Sequence, residues 1–97
     1  MDGPDSKAYS WDLVTADRRL YQGPCELLYA YLVPSGATTD SALYDGVDTK
    51  GTKIVTLKEA AVSGHEFKPP RPVYCKMGLY VDVGTSVSEV FVQWRAL

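Results

Sequence analysis

Turn-forming residues interrupt this chain so often that only short elements fit between them: Gly23-Pro24, Pro34, Gly36, Asp45-Gly46, Gly51, Gly64, Pro69-Pro70, Pro72, Gly78 and Gly84. The stretches they bound alternate apolar and polar residues with the period of two that belongs to β-strands. Arg18 to Gln22 is a first strand, closed by Gly23-Pro24. Residues 25–33 place Cys25, Leu27, Tyr29, Tyr31 and Val33 on one face and Glu26, Leu28, Ala30 and Leu32 on the other. Both faces are largely apolar, so this strand is central to a sheet or lies under a partner. A helix competes here, because Leu, Ala and Glu are helix formers, but the aromatic and β-branched residues and the proline at each end favour the strand.

Residues 34–40 read as an exposed loop, and residues 41–44 and 53–58 as a hairpin turning at Asp45-Gly46. Residues 58–62 carry the one stretch of helical propensity, enough for a bend or a single turn before Ser63-Gly64. His65-Glu66-Phe67 is a brief strand, followed by Lys68-Pro69-Pro70-Arg71-Pro72, which cannot donate to a ladder and makes an extended, edge-like crossing. Val73 to Lys76, then Leu79 to Val83 and Val87 to Arg95 complete the set, and the last two are expected to pair with each other. Seven or eight strands without a covering helix bury their apolar faces as an all-β, two-sheet β-sandwich of jelly-roll or immunoglobulin-like type. The inward positions are Leu27, Tyr29, Leu43, Val55, Leu79, Val81, Val90, Val92 and Trp94. This domain spans residues 18–97. Residues 1–17 differ: Asp2, Gly3, Pro4, Asp5 and Ser6 are coil formers, followed by Tyr9, Trp11, Leu13 and Val14 among polar residues, which reads as an extended N-terminal arm.

A chain of 97 residues has room for one core. Its formal charge of −2 and scattered basic residues give no footprint for a phosphate backbone, so direct nucleic-acid binding is not expected. No apolar run reaches the length of a membrane span, and the N-terminus has neither the basic start nor the apolar stretch of a signal peptide, which points to synthesis in a cytoplasm and no membrane partner. Two cysteines, Cys25 and Cys75, are too few for a secreted disulfide framework and read as reduced thiols in the interior.

Residues that carry chemistry are sparse. The single histidine, His65, would have to serve any Ser-His or Cys-His scheme, and a turn or strand-start residue is the plainer account. Asp45 to Gly51 offers oxygen ligands of the kind calcium takes, yet lacks the alternating acids and closing Glu of an EF-hand loop and includes Lys50; a hairpin turn fits better. Glu66 with Asp82 or Glu89 is no better a glycosidase pair than any other two of the twelve acids. No phosphate loop, metal set or cofactor motif is present, and no enzymatic activity is expected. The seven tyrosines exceed what one small core needs. Aromatics are efficient interface anchors, so Tyr9, Trp11 and Leu13 of the arm and the outward Tyr80 are the candidate binding residues.

The order Leu20-Tyr21-Gln22-Gly23-Pro24-Cys25-Glu26-Leu27, Ala42-Leu43-Tyr44-Asp45-Gly46 with Thr49-Lys50-Gly51, Gly78-Leu79-Tyr80-Val81-Asp82-Val83 and Val90-Phe91-Val92-Gln93-Trp94 resembles small virion proteins of tailed bacteriophages, over residues 18–97. The resemblance implies a structural virion protein on the capsid surface, a capsid decoration or cement protein that binds the major capsid protein as a homotrimer. It transfers no active site. A carbohydrate- or receptor-binding module of a fibre or tail is the alternative, distinguished by aromatics gathered in one groove.

Overall fold

The computed structural model describes residues 10–34, 39–59, 65–84 and 87–97. They form two antiparallel sheets packed face to face, a β-sandwich. The strands are β1 (Ser10–Val14), β2 (Arg18–Gln22), β3 (Cys25–Pro34), β4 (Thr39–Asp45), β5 (Thr52–Glu59), β6 (His65–Phe67), β7 (Val73–Cys75), β8 (Gly78–Asp82) and β9 (Val87–Ala96). One sheet runs β1-β9-β3-β6 with β7 also on β3, the other β2-β8-β4-β5. The pairing is nested: β4 with β5, then β3 with β6 and β7, β2 with β8, β1 with β9. A long hairpin with its tip at β4 and β5, rolled onto itself, gives this order, which is the jelly-roll arrangement.

The strand-rich sequence thus folds as the alternation predicts, with three corrections. Residues 10–14 are not an arm outside the domain. They pair with β9 from Ser10↔Trp94 to Val14↔Val90, and Val14 is fully buried in the core; the sandwich begins before residue 18 because Val14 has an inner face to join. Tyr9 lies outside the described residues.

The last two strands do not pair with each other. β8 lies between β2 and β4, β9 between β1 and β3, so the chain crosses from one sheet to the other between them. Their apolar faces meet across the core, Leu79 and Val81 on one side, Val90, Val92 and Trp94 on the other, a need that alternation shows equally well for neighbours in one sheet.

The third correction concerns β3. Leu27 opposes Trp94 and Tyr29 opposes Gln93, leaving Leu28 as an extra residue in a β-bulge. Before the bulge Cys25 and Leu27 point inward; after it Ala30 and Leu32 do. Tyr29, expected in the core, and Tyr31 are turned to the outer face. Val55 sits at the core's margin, packed against it, while Leu27, Leu43, Leu79, Val81, Val90, Val92 and Trp94 are buried as expected.

On the far edge, β6 covers Ala30 to Leu32 and β7 covers Cys25 to Leu27 of the same strand. The proline-rich residues 68–72 swing off the ladder between them, since proline has no N–H to give it. The expected loop at 34–40 is shorter at both ends, with Pro34 in β3 and Thr39 and Asp40 in β4.

Candidate functional site

The outer face of the five-stranded sheet is built from cross-strand rows. In one row Leu13, Phe91, Tyr31 and Glu66 stand side by side on β1, β9, β3 and β6; in the next, Trp11, Gln93 and Tyr29 do. At the usual strand spacing four strands span roughly 14 Å. The rings interlock: Trp11 stacks on Phe91 with centroids 5.9 Å apart, and Tyr29 meets Phe91 edge-on at 6.0 Å. Such pairs add to sheet stability, yet they leave Trp11 66% and Leu13 42% exposed. The Tyr29 hydroxyl donates to Glu66 Oε2 at 2.7 Å. That hydrogen bond to a carboxylate, with some burial, pushes the Tyr29 phenol up to about 12. Further along the same face Arg95 pairs with Glu26, and Tyr74, Glu26's partner on β7, is exposed.

Among the described residues, the patch adjoins the barest sheet edge. Natural edges are blunted by proline, lysine, charge or bulges. The β6–β7 edge has Lys68, Pro69, Pro70, Arg71 and Pro72; β2 has Arg18 and Arg19 with a bulge beside them; β5 has Lys53 and Lys58 with a bulge opposite Leu43 and Tyr44. β1 reads Ser-Trp-Asp-Leu-Val. Its one charge, Asp12, pairs with Arg18 and accepts the Leu13 N–H. Among the described residues no strand pairs with its outer side.

Of the expected binding residues, Trp11 and Leu13 lie together on this surface. Tyr80 does not: it is on the outer face of the other sheet, edge-on to its cross-strand partner Tyr44 at 6.5 Å, with Lys53 Nζ 5.9 Å from the Tyr44 ring centre. Burial, then Asp17, Asp82 and Asp48, raise its phenol. Phe91, Tyr29, Tyr31 and Glu66 are members of the patch that were not among the expected binding residues. For Tyr29 and Tyr31 the signal was the doubly apolar β3, whose second face here meets no other layer of described residues, and for Phe91 it was the alternation of β9 against the buried Val90, Val92 and Trp94.

The Asp45-Gly46 motif has a different task. The Asp45 carboxylate accepts the backbone N–H groups of Lys76 at 3.0 Å, Met77 at 2.8 Å and Gly78 at 3.3 Å. It thereby ties the β4–β5 hairpin to the β7–β8 turn. Gly78 sits at φ 153°, and a Cβ there would lie 2.5 Å from the Tyr21 carbonyl oxygen, a position only glycine fills. Asp48 accepts the Lys50 N–H at 2.8 Å. The cleft of about 320 Å³ beside this loop, between Val47, Thr52 and Met77, has in its lining Lys50 and the carboxylates of Asp45 and Asp48, both of which are engaged with backbone. Among the described residues no three His, Cys, Asp or Glu side chains gather as a metal-binding group, and no helix is long and apolar enough to cross a membrane.

Compared with known proteins, the chain matches no family model, no curated protein and no solved structure.

Proposed function

We propose that this protein acts by attachment and not by chemistry, as a structural virion protein of a tailed bacteriophage: a decoration or cement protein whose β1 edge and adjoining aromatic face seat on the major capsid protein. One observation carries the reading. The largest exposed aromatic of the described residues, Trp11, lies on the least guarded edge and at the border of a continuous apolar and aromatic sheet face. Exposed apolar patches of this kind mark interaction surfaces. The sequence resemblance supplies the class of partner, and jelly-roll order agrees with it as fold-level analogy, since that fold recurs in capsid and lectin domains. A homotrimer multiplies weak contacts at local threefold positions of a lattice.

Co-sedimentation with capsid particles tests this. Trp11→Ala, at an exposed site, leaves the fold intact and lowers attachment by about 1–3 kcal/mol, the range of a buried aromatic anchor. Attachment equal to wild type, or a strictly monomeric protein without affinity for particles, refutes the assignment.

The carbohydrate-binding reading has its own support in the Tyr29–Glu66 hydrogen bond, which sets a polar pair beside the rings. Against it, the aromatics are spread over an open sheet face and not gathered in one groove. A glycan array that retains the protein through Trp11 would favour the sugar.

A further inference from the structure

Cys25 opens β3 and Cys75 closes β7, and the two are direct cross-strand partners. Opposed residues of an antiparallel pair share a face, with Cα atoms roughly 4.5 or 5.5 Å apart according to the kind of pair. A disulfide bridges Cα separations of about 4.4–6.8 Å, so either kind of pair is within reach. Both side chains are fully enclosed and both are free thiols. The two thiols are cross-strand neighbours, and the Cys75 thiol donates to the Val73 carbonyl at 3.6 Å. Their mutual influence favours the thiolate at Cys25 and, together with burial, holds the proton on Cys75. β7 is three residues long and lies at a sheet edge beside the proline-rich crossing. Short edge elements open locally at lower cost than the body of a sheet, which gives a small oxidant access to an otherwise enclosed pair.

We propose that Cys25 and Cys75 form a redox-closing site that a low-molecular-weight disulfide converts into a cross-strand bridge fastening β7 to the central strand. The Cys25 thiolate attacks the reagent, breaking its S–S bond, forming a mixed disulfide and releasing one thiol. Cys75 then gives up its proton and attacks the Cys25 sulfur, expelling the second thiol. Two protein thiols lose two electrons and two protons, and one reagent disulfide becomes two thiols. This site stands independently of the docking surface.

Oxidised glutathione is the probe. Folded wild-type protein is incubated with it, quenched with N-ethylmaleimide in denaturant and weighed intact. The expected product is a monomer lighter by two hydrogens, carrying neither maleimide nor glutathione, and restored by dithiothreitol. Persistent glutathione adducts, disulfide-linked dimers or two maleimide groups would overturn the proposal. Any two cysteines can close in an unfolded chain, so the same equilibrium is measured in urea. The folded bridge should resist reduction at least about tenfold more than the denatured one, because the native strands hold the sulfurs together. Equal reducibility in the two states would mean that the fold does not present the pair, and would also overturn it.

Discussion

Tyr29 shows how a single hydroxyl couples the patch to pH. In an unfolded chain a tyrosine titrates near pH 10; here the hydrogen bond to Glu66 moves it to about 12. Between those values the folded state keeps a proton that the unfolded state has released, so stability is unaffected below about pH 10 and falls as pH rises toward 12. Tyr29→Phe should lose that share of the alkaline decline. Urea midpoints recorded from neutral pH upward measure it, and a variant that declines in parallel with wild type would show the hydrogen bond to be inert. Asp45 is a second residue with a defined load. Asp45→Ala leaves three backbone N–H groups of the β7–β8 turn without their carboxylate and should cost about 2–4 kcal/mol, whereas Asp48→Ala, losing one local bond, should cost about 0.5–1 kcal/mol. Equal urea midpoints for the two variants would contradict the tie. Asp45 and Gly46 were legible as a turn from the sequence. That the carboxylate reaches a turn more than thirty residues away was not, because hydrogen-bond partners distant in sequence leave no local pattern.

At the scale of elements, β1 and β3 decide the surface. Deleting residues 1–17 removes β1, takes Val14 from the core and strips β9 of a neighbour. Burial of one valine alone contributes about 1.5–3 kcal/mol, so the truncated protein should unfold at clearly lower urea than the full chain; an unchanged midpoint would restore residues 10–14 to the status of a free arm. Sequence alone could not place them, because a five-residue segment with one inward valine resembles a tether as much as an edge strand. The bulge in β3 was equally invisible. Strict alternation put Tyr29 in the core with Leu27, and one inserted residue, Leu28, reverses every face after it. Leu28 has no special conformational signature, so the pattern predicted the strand correctly and the second half of its orientation wrongly. The candidate site was accordingly half legible: Trp11 and Leu13 from their exposed aromatic and apolar character and the outward side of Phe91 from the alternation of β9, but not Tyr29 and Tyr31, whose side is set by the bulge, nor Glu66, which needed the β3–β6 register.

In the whole molecule the sequence indicates which residues face inward more clearly than which strands lie side by side. Seven of the nine expected core positions are buried, because alternation is local. Of the strand pairings, the β4–β5 hairpin joins strands consecutive in the chain and was the readable one; the rest join strands separated by others. That nesting has a consequence for synthesis. β9, last of the strands in chain order, lies between β1 and β3, and β1 has no other neighbour among the described strands. A polypeptide leaving the ribosome therefore makes eight strands before the one that joins the two parts of its larger sheet. Until those ten residues emerge, Val14, Leu27 and Leu32 have no complete wall to close against, so a chain stopped before Val87 is a set of unjoined parts and not a smaller version of the sandwich.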